Sequence, residues 1–184
     1  MSYEVEQKFT VADLSAVERG LAELKALAEL AVEQVDQYFA HPSKDYAKTD
    51  EALRIRRVGE QNFVTYKGPK LDATTKTRRE IELPLAPGET GFNDFAELLT
   101  ALGFRTVAQV RKTRRPFELR WEGRTVHAAL DTVASVGTFV ELELVVEEGE
   151  LEAAKACLAS LVMRLGLTTN ERRSYLELLL EKTT

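Results

Sequence analysis

The chain has 184 residues, 44% of them hydrophobic and 30% charged, with a formal net charge of -5 at neutral pH. That length suits one domain, residues 1–184, with a sizeable core, and the acidic balance excludes a nucleic-acid binder that works by bulk charge, so any anionic ligand must meet a local cluster of Lys and Arg. A single cysteine, Cys157, excludes an internal disulfide, and two distant histidines, His41 and His127, make no Cys/His zinc site. No apolar run approaches the roughly 20 residues that cross a bilayer, and the acidic, alternating N-terminus is not a signal peptide. The expectation is a cytoplasmic protein with neither a membrane nor a nucleic-acid partner.

The first stretch, Glu4-Val5-Glu6-Gln7-Lys8, alternates. Because successive side chains of a strand point to opposite faces, Glu4, Glu6 and Lys8 share one face, and Tyr3, Val5 and Phe9 the other. Val11 to about Lys25 carries Leu14, Val17, Leu21 and Leu24 at helical spacing, an amphipathic helix with one face to cover a sheet. A second strand is expected within 28–38, broken by Pro42, Ser43 and Asp45. The opening pattern then returns. Arg54 and Arg56 oppose Leu53 and Ile55, Lys67 shares a face with Thr65 across hairpin residues 59–62, and Lys76, Arg78, Glu80 and Glu82 oppose Ile81 and Leu83. Pro84, Pro87 and Gly88 are expected to close that section. A helix over about 92–102 follows, with Asn93 as a candidate N-cap and Gly103 as its stop. Strands resume at Phe104: one bearing Lys112 and Arg114 up to Pro116, a short one with Trp121, one from Arg124 to Leu130, with Asp131 on the face opposite Val126, Ala128 and Leu130, and one over 139–146 bearing Glu141 and Glu143. Two helices, about 150–165 and 171–182, end the chain.

Collected across strands, the charged faces hold the acids Glu4, Glu6, Glu80, Glu82, Asp131, Glu141 and Glu143 and the bases Lys8, Arg54, Arg56, Lys67, Lys76, Arg78, Lys112 and Arg114. Alternation alone does not distinguish a solvated sheet face from a closed lumen. Roughly eight strands in mostly hairpin order favour closure, and closure would set acids of the first and last strands against a basic wall. The expected fold is α+β: a closed antiparallel β-barrel, a tunnel with a charged lumen and helices packed outside. Carboxylates without His or Cys suit Mg²⁺ or Mn²⁺, and Arg and Lys suit phosphate oxygens.

These residues resemble a known family. Glu4-x-Glu6-x-Lys8 is similar to the ExExK signature of the CYTH domains, or triphosphate tunnel metalloenzymes, which include class IV adenylyl cyclases and thiamine triphosphatases. Further matches are Tyr38-Phe39, the run from Thr49 to Arg56, Thr65 to Lys70, Lys76 to Glu82, Lys112-Thr113-Arg114 and Phe139 to Glu143. The resemblance implies a divalent-metal-dependent enzyme with Mg²⁺ or Mn²⁺ held by Glu4, Glu6, Asp131, Glu141 and Glu143. Lys8, Arg54, Arg56, Lys67, Arg78, Lys112 and Arg114 would bind the triphosphate, and Glu4, Glu6 and Lys8 form the catalytic signature. Glu80 and Glu82 either join the metal site or hold neighbouring arginines. Ser174-Tyr175 resembles the tail of cyclase-like members, where it closes a tunnel mouth; the other reading of Tyr175 is a core aromatic beside Leu179. His127 shares a face with Asp131, His41 lies in a loop, and both read as satisfied or exposed imidazoles, with Cys157 as packing. The implied reaction is conversion of ATP to cyclic AMP and pyrophosphate. Hydrolysis of tripolyphosphate or thiamine triphosphate is the alternative, and a non-catalytic polyphosphate-binding module the third reading. A homodimer is left open.

Overall fold

The computed structural model describes residues 2–69 and 78–183. Strand β1 (Ser2–Thr10) is followed by helix α1 (Leu14–Glu23), whose N-cap Asp13 accepts the Ser15 amide at 2.9 Å. The short β2 (Leu27–Ala28) precedes β3 (Val32–Ala40), the single-turn helix α2 (Tyr46–Thr49), β4 (Ala52–Val58) and β5 (Gln61–Lys67). After β6 (Glu80–Leu85) and helix α3 (Gly88–Ala101) come β7 (Arg105–Trp121), β8 (Arg124–Val133) and β9 (Gly137–Glu147). Helices α4 (Leu151–Arg164) and α5 (Tyr175–Thr183) finish the chain.

Three proline and cap expectations are corrected. β6 runs through Pro84 because it is the last strand of the sheet, where a missing N–H costs no ladder bond on the open side. α3 begins after Pro87, so Asn93 lies inside it and caps nothing. β7 is one 17-residue strand that passes straight through Pro116. Pro116 sits where the neighbour of β7 changes from β3, paired up to Arg114, to β2, paired from Phe117, and its carbonyl accepts the Glu29 amide at 3.0 Å. The proline falls where no ladder bond is asked of it. Lys76 and the expected start of its strand lie outside the described residues.

All pairings are antiparallel, in the order β1-β9-β8-β7-β3-β4-β5-β6, with β2 on β7. The sheet curls into a half-barrel, and an isolated bridge between Glu4 and Arg78 links β1 to the residues leading into β6. The apolar parity lies on the convex side. Val5, Phe9, Leu142 and Leu144 pack there under Val17 and Leu21 of α1 and Leu158 and Leu161 of α4, while Phe39, Leu53 and Ile55 pack under Leu99 of α3. Burying each such side chain contributes about 1.5–3 kcal/mol. A third cluster is on the concave side: Tyr38, Val110, Val133 and Phe139 share parity with Asp36, Lys112, Asp131 and Glu141, and receive Tyr175 and Leu178 of α5. The inner face is therefore charged along its middle and apolar where α5 rests on it.

A bulge re-aims one end of β7. Its register with β3 shifts by one between Gln37 and Phe39, so Val110, Lys112 and Arg114 point inward before the shift and Arg105 and Val107 after it.

Candidate active site

A cavity of about 780 Å³ occupies the concave face. Of the residues expected at the site, Glu4, Glu6, Lys8, Arg54, Arg56, Lys67, Arg78, Lys112, Arg114, Glu141 and Glu143 all line it. Asp131 does not: it is fully buried behind the wall.

Two buried aspartates organise the basic wall. Asp36 on β3 takes Arg56 through both carboxylate oxygens, Nε at 2.7 Å and Nη2 at 2.8 Å, and Arg54 Nη1 at 3.2 Å. Burial disfavours its charge, but the two guanidiniums outweigh burial and hold the carboxyl well below the usual range. Asp131 on β8 does the same for β7, receiving Arg114 Nε at 2.8 Å and Nη2 at 2.5 Å and Lys112 Nζ at 3.1 Å, with the Tyr175 hydroxyl at 2.8 Å. Burial and the neighbouring Arg114 bring the Lys112 ammonium down to about 7. Each aspartate fixes side chains two positions apart on the next strand, leaving their remaining donors for the cavity.

The carboxylate edge comes from β1 and β9, where Glu6 stands opposite Glu143 and Lys8 opposite Glu141. Burial and then Glu4 and Glu6 push the Glu143 carboxyl up to about 8, and burial raises Glu4 as well against the pull of Lys67. Glu141 is engaged by Arg114. Lys67 bridges Glu4 at 3.3 Å and Glu80 at 2.6 Å, so Glu80 serves as an ion-pair partner, while Glu82 accepts the Thr65 hydroxyl at 2.9 Å. Lys8, 1% exposed, donates to the Arg173 carbonyl at 2.5 Å and lies 4.0 Å from the Tyr175 ring centroid.

Tyr175 thus joins Asp131 and Lys8 in the wall while packing in the concave apolar cluster with Leu179 against it, as the core-aromatic reading has it. His41 is satisfied, its Nδ1 accepting the Ser43 and Lys44 amides at 3.1 and 3.0 Å. His127 is exposed, opposite Glu118 and Glu143 at the other end of the sheet. Cys157 is buried in the convex core.

Sequence reasoning missed Asp36 and Arg105. Asp36 was legible as the charged position of a strand whose next inward residue is Tyr38. Arg105 had no signal, because the bulge reverses its parity.

Among the described residues no three His, Cys, Asp or Glu side chains converge into a ready-made metal cage. The donor set still fits a hard cation: oxygen-only, anionic and adjacent to phosphate-binding bases. Mg²⁺ typically takes one or two carboxylates and completes its shell with water and substrate phosphate.

The CYTH domain family matches residues 2–175. A curated relative from Methanocaldococcus jannaschii, named "Putative adenylate cyclase", is 34% identical over 178 residues, covering 95% of this chain and 97% of its own. The PH1819 protein of Pyrococcus horikoshii superposes with a TM-score of 0.85 at 40% identity, covering 97% of this chain and 99% of that one. A Hippeastrum protein described as a "putative adenylyl cyclase" with a dominant triphosphatase activity superposes at 0.70 with 20% identity, over 98% and 96% of the two chains, a likeness of fold.

Proposed function

Because the chain belongs to the CYTH domain family, we propose that it is a divalent-cation-dependent enzyme acting on triphosphates, with cyclisation of ATP to cyclic AMP as its reaction. The observation that carries this reading is the convergence of Arg54, Arg56, Lys112 and Arg114, each anchored from behind by Asp36 or Asp131, on one cavity whose far edge is Glu4, Glu6 and Glu143. The Glu4–Arg78 bridge and the Lys67–Glu4 ion pair, which draw the two edges of the sheet together, support a tunnel around the polyphosphate.

The guanidinium forks hold phosphate oxygens in fixed orientation, with Lys8, Lys67 and Lys112 as point charges. Glu4, Glu6, Glu141 and Glu143, which line the cavity, would hold Mg²⁺ or Mn²⁺, which when bound would neutralise charge and polarise phosphoryl oxygens. In cyclisation the ribose 3′-oxygen bonds to the α-phosphorus as the bond to the β-phosphate oxygen breaks. The hydroxyl proton passes to the carboxylate edge, and the basic wall holds the departing pyrophosphate. Much of the acceleration comes from positioning and preorganised charge.

Hydrolysis of the terminal phosphate uses the same wall with water as nucleophile, and the activity described for the Hippeastrum protein favours keeping it as the second reading. Ion-exchange product analysis after incubation with ATP and with tripolyphosphate, each with Mg²⁺ or Mn²⁺, separates the two. Cyclic AMP with matching pyrophosphate establishes the cyclase. Orthophosphate with pyrophosphate from tripolyphosphate, and no cyclic product, makes it a triphosphatase. Saturable binding without any product leaves a polyphosphate-binding module.

A further inference from the structure

A second, smaller hollow of about 90 Å³ lies on the inner face of β7 and β8. Its floor is Pro116 and Ala129, which are cross-strand partners. The next inward positions on the same two strands all carry longer side chains, Arg114 and Glu118 on β7 and His127 and Asp131 on β8. A proline beside an alanine therefore leaves a gap in that layer. Arg114, Glu141 and Glu143 line both this hollow and the larger cavity.

Three side chains able to ligate a metal line the hollow and have no hydrogen bond or ion pair among the described residues: Glu29, His127 and Glu143. Arg114 is the one base in the lining, and its guanidinium is already taken by Asp131 and Glu141. The hollow is thus short of positive charge. His127 and Glu143 are direct cross-strand partners on the inward face, a placement that sets Cβ atoms about 4.5–5.5 Å apart and lets an imidazole nitrogen and a carboxylate oxygen reach one cation. Glu29 approaches from the other side of the floor, where its amide donates to the Pro116 carbonyl at 3.0 Å. The three side chains stand around the hollow without being drawn to a point. Glu29 and His127 are exposed, so closing them on a cation costs rotamer freedom and breaks no existing bond.

The ligand type differs from that of the larger cavity, whose carboxylates offer oxygen alone. An imidazole beside carboxylates suits a borderline transition metal, whereas Mg²⁺ is bound through oxygen and keeps its water. We propose that Glu29, His127 and Glu143 form a second cation site, selective for a transition-metal dication such as Zn²⁺ or Co²⁺ over Mg²⁺. The site stands independently of the reaction assigned to the larger cavity.

The test is calorimetric titration of the full chain with Zn²⁺ in excess Mg²⁺, without phosphate, beside proton NMR of the Co²⁺-loaded chain. A single Zn²⁺ is expected to bind despite the Mg²⁺, and Co²⁺ to give a paramagnetically shifted imidazole N–H signal. Removing a group that merely supports a metal ligand typically costs 10- to 100-fold in affinity. His127→Ala and Glu29→Gln should therefore each weaken Zn²⁺ by about tenfold or more, and His127→Ala should remove the shifted signal. Both residues are exposed, so neither variant threatens the fold. Glu4→Gln and His41→Ala should leave Zn²⁺ affinity within about twofold, since neither residue lines the hollow. Absence of Zn²⁺ binding in excess Mg²⁺ overturns the proposal. So does an affinity that survives His127→Ala, or one that falls with Glu4→Gln, which would put the metal in the larger cavity. Because no phosphate is present, failure of the triphosphate reading would leave this result untouched.

Discussion

Glu6 of β1 and Glu143 of β9 are direct cross-strand partners, both facing the cavity. Like charges in such a pair destabilise a sheet by up to about 1 kcal/mol, unless a cation or a proton comes between them. Above about pH 8, where burial and the neighbouring Glu4 and Glu6 no longer keep the proton on Glu143, Glu143→Gln is therefore expected to raise the melting temperature of the ligand-free protein slightly, and Glu6→Gln to do the same, while each abolishes turnover. Thermal melts without ligand, beside product assays with Mg²⁺, check both halves. Full activity in either variant would remove that carboxylate from the proposed cation site.

Asp36 supplies a pH dependence of stability. Its carboxyl is held below the ordinary 3.8 by Arg54 and Arg56, so in acid the unfolded chain binds its proton before the native one does. Stability from this group is present above the ordinary value and is lost as pH falls through it toward the lower native value. Asp36→Asn should cost about 3–5 kcal/mol at neutral pH, because it leaves buried guanidiniums without their anion. Urea denaturation at neutral pH and at pH about 3 should show the gap between wild type and variant shrinking in acid. A gap that does not change with pH would mean the pair stabilises through packing.

At Asp131 the placement argues for anchoring the basic wall. The expected outcome for Asp131→Asn is weaker tripolyphosphate binding by roughly tenfold or more, through loss of charge-assisted bonds to Lys112 and Arg114, with Mn²⁺ binding in the absence of phosphate unchanged. Loss of Mn²⁺ affinity would instead make Asp131 a ligand. Tyr175→Phe is a milder probe. It removes one hydroxyl bond and should cost about 1 kcal/mol, yet retain the ring beneath Lys8.

Arg114→Lys tests whether the fork matters. Arg114 reaches both oxygens of Asp131 and also Glu141, a geometry one ammonium does not reproduce. Tripolyphosphate affinity should fall roughly 10- to 100-fold. An unchanged affinity would show that net charge alone binds the phosphates.

The local physics of this chain is written in its alternation. A period of two states which side chains share a face, so the inward set Glu4, Glu6, Lys8, Arg54, Arg56, Lys67, Lys112, Arg114, Glu141 and Glu143 was legible residue by residue, as were the helices whose apolar stripes cover the other face. What alternation does not carry is which strand lies beside which, and that decided everything relational. The pairing of β1 with β9 put Glu6 against Glu143, and that of β7 with β8 committed Asp131 to Lys112 and Arg114. The place where β7 changes neighbours let Pro116 lie inside a strand, and a one-residue slip against β3 turned Arg105 inward. Those outcomes depend on contacts between residues far apart in the chain. A face is a property of one strand; a site is a property of several.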